Sequence, residues 1–326
     1  MPEPQLRAWG LLAGFAADLL LGDPRRLHPV AGFGQLAAAL ERRIYRDQRA
    51  AGVGYVSLLT VAAAAAGYAG GALARRGGRP PALLWQAALT WTALGGRSLT
   101  REAGAVAAAL DRGDLATART RLRSLCARDP DLLDAAGVAR AAVESVAENT
   151  CDAVVAPLFW GAVAGPAGTA GFRAVNTMDA MVGYHTSRYE RFGWAAARLD
   201  DAANWLPARV TAGLATLLAP VVGGSPRRAW RAWRRDGPGH PSPNAGRVEA
   251  AFAGALGRRL GGSANRYGDH LDRRPSLGDG AEPTAADIRR TIRLATAVGA
   301  TSALLAAAAA QAVTASARDL PVRRRR

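Results

Sequence analysis

Two uncharged runs set the limits on what this chain can fold into. Val53 to Leu73 is 21 residues without a charge, and Leu294 to Ala317 is 24. About 20 apolar residues in a helix cross a hydrocarbon layer roughly 30 Å thick. Backbone in lipid must satisfy its own hydrogen bonds, so such runs are helices. Ala82–Gly96 and Ala153–Phe172 are further uncharged runs, and Val210–Gly224 is a shorter one. Residues 8–21 are short for a span and hold Asp18. This pattern predicts an all-α, polytopic integral membrane protein with about five or six hydrophobic helices and helical polar loops. A single membrane-embedded domain over residues 1–326 is expected, with a polar helical insert at about 97–140 and a polar loop at about 225–293.

The charge fits that class. The formal net charge is +16, and all 42 basic residues are Arg. They sit between the apolar runs, as in arginine-rich cytoplasmic segments of a multi-pass bacterial inner-membrane protein. No nucleic-acid recognition motif accompanies them, so no nucleic-acid partner is expected. Cys126 and Cys151 make no disulfide framework, and the four histidines form no zinc pattern. No GxxxxGK[ST], strand-following GxGxxG or GxSxG occurs, which argues against a P-loop, a Rossmann site and a hydrolase elbow. The N-terminal run has no small-residue cleavage site and reads as a retained membrane segment.

Along the chain, Gln35–Gln48 predicts a basic amphipathic helix. Residues 112–133 predict two helices broken at Asp129-Pro130, with Asp114 as an N-cap. Residues 249–262 predict another helix. If all six apolar runs cross, the Arg-rich loops at 25–49, 97–140 and 227–293 fall on one side and 173–201 on the other. A re-entrant 153–172 changes that topology.

Candidate chemistry is concentrated from Ala139 to Tyr189. Steps of four place Arg140, Glu144, Glu148 and Asp152 on one helix face. Like charges at that spacing call for a positive partner, such as Arg140, a metal ion or a cationic substrate group. Beyond the 153–172 run lie Asn176, Asp179, Tyr184, His185 and Arg188. Asp200, Asp201, Asn204 and Asn244 extend the set, with Asn149 beside Glu148. Hard oxygen ligands of this kind suit Mg²⁺ carried by phosphates. Arg188, Arg198 and Arg209 are candidate phosphate partners, because a planar guanidinium holds two oxygens at once. A straight helix over 153–172 would separate the two clusters by roughly 30 Å. A shared site therefore requires the run to bend, and Pro157, Gly161, Gly165 and Pro166 supply places for a break.

Several blocks resemble a known family. ESVAENTCDAVVAPLFW (144–160), NTMDAMVGY (176–184), ARLDDAANWLPARVTA (197–212) and SPNAGRVEAAFAGALG (242–257) are similar to the CobD/CbiB cobalamin-biosynthesis membrane proteins, the adenosylcobinamide-phosphate synthases. The early GDP…HPV segment, Gly22 to Gly32, matches as well. Cys151 and Ala180 stand where the family usually has Ser, and Ala153 where it usually has Gly.

The resemblance implies an ATP-dependent ligase. It would join aminopropanol, or its phosphate, to the free propionate of adenosylcobyric acid, giving adenosylcobinamide or its phosphate. ATP and Mg²⁺ are the implied co-substrate and ion, with no tightly bound organic cofactor. The implied partners are the corrinoid, the amino-alcohol phosphate, membrane lipid and neighbouring enzymes of the cobalamin pathway. On this reading Glu148, Asp152 and Asp179 hold metal, and Glu144 or Asp200 is the base. Arg188, Arg198 and His185 bind phosphates, and Asn149, Asn176 and Asn244 orient amides. Tyr184, Asp201, Asn204, Arg209 and His28 complete the substrate contacts. Two other classes stay open: a membrane Mg-diphosphate-dependent prenyl-type transferase, and a non-catalytic membrane partner of the same fold.

Overall fold

Alternating small and large apolar residues close this chain into helices. The computed structural model describes residues 3–24, 28–126, 129–184, 186–262, 264–267 and 270–318. Contacts divide the chain into two compact units. The first holds Met1–Leu94, Pro157–Asp200 and Ser302–Arg326; the second holds Gly95–Ala156 and Asp201–Thr301.

In the first unit, α1 (Glu3–Leu21) packs on α4 (Arg79–Ala93). Glycines permit the approach: a Cβ on Gly14 would lie 2.5 Å from the Thr90 side chain. The amphipathic helix α2 runs from Pro29 to Ile44, earlier than the expected 35–48. The reason is local. His28 caps it, Nδ1 accepting from the Val30 amide at 3.2 Å, and Pro29 fits the first turn, where its missing N–H is not needed. The helix α3 (Arg49–Arg76) contains the uncharged 53–73 run.

The helix α8 (Ala156–Val182) is broken in the middle. Gly165 has φ 61° and ψ −145°, and Pro166 follows. Glycine reaches that conformation without a Cβ penalty, and proline disfavours helix at the residue before it. The two arms then run back along each other. A Cβ on Gly168 would sit 2.2 Å from the Trp160 carbonyl oxygen, and one on Gly161 would sit 2.8 Å from Thr169 Oγ1. Residues eight apart on a straight helix are about 12 Å apart. The 153–172 run is therefore bent, as the glycines and prolines led us to expect. Arg7 finishes the first arm, donating from Nη1 to the carbonyls of Ala162 (3.2 Å) and Val163 (3.4 Å).

In the second unit, α5 (Gly96–Asp111), α6 (Leu115–Leu122) and α7 (Ala135–Thr150) surround an Ala/Val/Leu core with α11 (Ala245–Leu256). Asp114 caps α6 as expected, accepting from the Thr117 amide at 3.0 Å. The break expected at Asp129-Pro130 starts earlier: α6 ends at Leu122, and Asp134 caps α7 by accepting from Gly137 N at 2.8 Å. In chain order α9 (Trp194–Leu217) follows α8, and α10 (Pro226–Arg235) lies against α11. The expected 249–262 helix stops at Leu256. Gly257 turns left-handed at φ 65°, and the chain goes extended into β1 (Leu260–Gly261). That strand pairs antiparallel with β4 (Ser276–Leu277), and β2 (Ala264–Tyr267) pairs with β3 (His270–Arg273). The last helix, α12, runs Ala285–Arg318.

By length and composition, three helical stretches are able to cross a membrane: Arg49–Arg76, Ala135–Val182 and Ala285–Ala312. The middle one is interrupted twice. Before the break at Gly165 comes a π-turn over Cys151–Val155.

Candidate functional site

Three of the four long sequence blocks meet side chains of the remaining one, on α9. In the first unit, Asn176 of α8 donates from Nδ2 to Asp200 Oδ1 at 3.4 Å. Arg173, one turn earlier on α8, donates to Asn176 Oδ1 at 3.1 Å. An apolar cavity of about 200 Å³ adjoins this group, with Arg173, Thr177, Phe33, Trp85 and Leu89 on its wall.

In the second unit, Asn244 at the start of α11 is buried. It donates from Nδ2 to the Asp201 carbonyl at 2.7 Å and accepts from Arg209 Nη1 at 3.1 Å. Arg209 also donates to the Trp205 carbonyl, and its guanidinium stacks 4.1 Å over the Trp205 ring. Burial, and then the positive charge of Arg247, lower the pKa of Arg209. A guanidinium held this way keeps its planar fork available to an anion. Asn204, also buried, accepts from the Cys151 thiol at 3.8 Å. A serine at 151, usual in the resembling family, would present a hydroxyl donor to the same oxygen.

The acids divide by environment. Glu144 is 1% exposed; its Oε1 accepts from the Gly261 amide at 2.8 Å and lies 3.9 Å from Arg140. That position ties α7 to β1 and sets Glu144, of the three acids in the row, beside Arg140. Glu148, one turn on, is half-buried, and among the described residues its side chain makes no hydrogen bond or ion pair. Asn149 donates back to the Ser145 carbonyl at 2.9 Å. Asp152 lies inside the π-turn, whose Ala153 carbonyl accepts a further bond from Gly95 N at 3.1 Å. Such wide turns recur at functional sites. Asp179 sits half-buried at the end of α8, its Oδ1 2.0 Å from where a side chain on Gly183 would begin.

Arg188, expected to bind phosphate, holds a carboxylate of α2 in this structure. Its Nη2 donates to Glu41 Oε1 at 2.9 Å, and its guanidinium lies 4.1 Å over Tyr45. Tyr189 donates to the same oxygen at 3.1 Å, and Tyr45 donates to the Arg188 carbonyl at 2.8 Å. The Glu41 carboxylate, then Tyr189, raise the pKa of Arg188. This set locks the 183–193 loop onto α2. Tyr184 is exposed on that loop, Arg198 is exposed on α9, and His28 caps α2. His185 lies outside the described residues.

Arg173, Arg247 and Glu41 were missed as candidates. Arg247 lies inside the 242–257 block, so its signal was present in the sequence. Glu41 was not legible, since its partner is 147 positions away. Among the described residues, no three His, Cys, Asp or Glu side chains are grouped to hold a metal ion. The acids present fit an ion that brings most of its own oxygen ligands.

The sequence profile of the CobD/Cbib protein family matches residues 11–295. A curated relative from Mycobacterium tuberculosis, named cobalamin biosynthesis protein CobD, is 55% identical over 302 residues, covering 93% of this chain and 95% of its own. Proteins of the same name from Chromobacterium violaceum and Rhodobacter capsulatus are 46% and 42% identical. They cover 85% and 87% of this chain, and 88% and 91% of their own. No solved structure matches. With this coverage, and with its motif blocks meeting on α9, the chain belongs to the CobD/CbiB family of cobalamin-biosynthesis proteins.

Proposed function

We propose that this protein is an ATP-dependent amide ligase of the bacterial inner membrane. It joins aminopropanol, or its phosphate, to the free propionate of adenosylcobyric acid, giving adenosylcobinamide or its phosphate. The observation that carries this reading is the buried Asn244, whose side chain joins the Asp201 carbonyl to the Arg209 guanidinium. It sets an amide beside a guanidinium, the groups an amide-rich corrinoid and a transferred phosphate require.

The chemistry follows from the reaction. A propionate oxygen takes the γ-phosphoryl group of ATP, and ADP leaves. The amine then attacks the acyl carbon, inorganic phosphate leaves, and a base accepts the amine proton. Mg²⁺, carried by the phosphates, would neutralise charge on the transferred group. Arg209 and Arg247 supply fixed positive charge to phosphate oxygens. Asn176, Asn204 and Asn244 orient amides. Glu148, whose side chain makes no hydrogen bond or ion pair among the described residues, is assigned with Asp152 to the phosphate-borne ion. Asp200, held by Asn176, is the base we favour over the buried Glu144.

Growth rescue tests this reading. A strain that makes the corrin ring but lacks this step, fed cobyric acid, should grow with the wild-type gene and not with Glu148→Gln. Rescue by Glu148→Gln would favour a non-catalytic partner. The apolar cavity beside Arg173 suits a prenyl donor instead. Thermal protection by a prenyl diphosphate, and none by a corrinoid, would favour that transferase.

A further inference from the structure

The helix α10 has an outer face that the proposed chemistry does not use. Its sequence is PRRAWRAWRR, five Arg and two Trp in ten residues with no acid. Ala229 and Ala232 are buried, and the chain approaches α11 so closely that a Cβ on Gly254 would meet the Arg228 carbonyl at 2.6 Å. The opposite face carries Arg227, Trp230, Arg231 and Arg234, spaced i, i+3, i+4 and i+7, which makes one stripe. All four are exposed, and Trp230 is 49% exposed. The Arg234 guanidinium lies 5.6 Å over the Trp230 ring, and no carboxylate is recorded on the stripe. The acids nearby are taken: Arg235, off the stripe, holds Asp236 and Asp279.

Two observations point to a lipid surface and not to a soluble anion. Large apolar side chains are exposed next to the charge: Val221 at 52%, in the turn before α10, and Trp230 itself. An indole beside arginines is the side-chain pair that settles at a headgroup layer. The second observation is position. Arg290 of α12 donates from Nε and Nη2 to the Val222 carbonyl at 3.1 and 2.9 Å, and from Nη1 to the Leu256 carbonyl at 3.0 Å. Val222 leads into α10, and Leu256 ends the helix that α10 packs on. Arg290 itself lies one turn before the uncharged run that starts at Leu294. The contacts that seat α10 are thus made at the charged end of a stretch able to cross a membrane.

We propose that the Arg227–Trp230–Arg231–Arg234 stripe is an interfacial anchor that binds the headgroups of anionic phospholipids. Each arginine near an anionic leaflet adds attraction that salt screens. The idea rests on the membrane placement given above, so its test carries a separate control for that placement.

The full-length protein, with Cys126→Ser and Cys151→Ser, is reconstituted into nanodiscs of phosphatidylcholine alone or mixed with phosphatidylglycerol. A nitroxide at Arg231→Cys reports the stripe, and one at Leu58→Cys on α3 reports the membrane placement. In the mixed discs, access of a water-soluble nickel chelate to the 231 label should fall several-fold relative to a label at the exposed Arg123. Arg227→Gln with Arg234→Gln should restore that access, as should high salt. Equal access at 231 and 123 in both lipids, with the 58 label shielded, overturns the anchor and leaves the membrane placement intact. Access at 58 as high as at 123 overturns the placement itself. Shielding of 231 by inorganic phosphate in phosphatidylcholine discs assigns the stripe to a soluble anion and also overturns the proposal.

Discussion

In α3, Leu58, Val61, Tyr68 and Leu73 are exposed, while its buried residues include Gly52, Gly67 and Gly71. In α11 every residue except Arg247 is buried, and the exposed positions on its neighbour α10 are mostly arginines. Both helices are rich in Ala and Gly. They differ in where the large apolar side chains go. On α3 they go both ways: Tyr55, Val56 and Leu59 are buried, while Leu58, Val61, Tyr68 and Leu73 form an exposed apolar set on a helix long and apolar enough to cross a membrane, and its glycines serve close helix contact. On α11 they are all buried: Val248, Phe252 and Leu256 belong to the core of the second unit, and the exposed side of the neighbouring α10 is mostly charged. Two Ala- and Gly-rich helices thus differ in how many large apolar side chains they leave exposed, which composition alone does not tell.

The largest expected effect comes from breaking the buried side of that comparison. Gly254→Val puts a branched side chain against the Arg228 carbonyl, where backbone and not a flexible side chain must yield. A cost of about 1–3 kcal/mol or more is expected. It should appear as early loss of protease resistance in residues 226–256, while the first unit stays folded. Next is the chemistry. Glu148→Gln should lower turnover by about 100-fold or more, with thermal stability within about 0.5 kcal/mol of wild type, because no recorded contact is lost. Asn244→Ala should lose both activity and about 1–3 kcal/mol of stability, because it leaves Arg209 and the Asp201 carbonyl without their buried partner.

A smaller effect is tied to pH. Burial pushes the pKa of Asp236 up, but the Arg235 guanidinium and the Gly278 amide (2.7 Å) outweigh it, and the net pKa is lowered. A carboxyl lowered in the folded state stabilises above its ordinary pKa and loses that contribution as pH falls through the lowered value. The turn at Gly278 should therefore loosen only in acid, by about 1 kcal/mol, and Asp236→Asn should show the loosened turn at neutral pH. Hydrogen exchange at 276–280 measures both. The smallest effect is on the exposed apolar side of α3: Leu58→Ala in detergent should change stability by less than about 0.5 kcal/mol. A large loss there would mean that α3 packs against protein on that face.

What the sequence made legible was whatever depends on neighbours along the chain. The uncharged runs marked the apolar helices, Asp114 marked its cap, and Pro157, Gly161, Gly165 and Pro166 marked places where a helix can break, of which the break falls at Gly165. The π-turn at 151–155 was invisible, since no residue type there forces the extra residue into the turn. The role of Arg188 was also invisible, because the carboxylate that holds it is on α2. The stop of α11 at Gly257 was readable in principle from the glycine, but the apolar pattern around it favoured a longer helix. Of the candidate residues, Asn176 with Asp200, and Asn244 with Arg209, are joined within their units. Glu144 is committed to the fold.

The central claim is amide formation on a corrinoid, and the most direct measurement is the reaction itself. The full-length protein in nanodiscs is given adenosylcobyric acid, aminopropanol phosphate and Mg-ATP, and the corrinoid products are resolved by mass spectrometry. The account predicts a corrinoid heavier by the amino-alcohol phosphate less water, with ADP formed in equal amount. It also predicts that omitting ATP, or substituting Glu148→Gln, abolishes this product. The account is contradicted if folded wild-type protein leaves the cobyric acid unchanged, or if Glu148→Gln forms the amide at the wild-type rate.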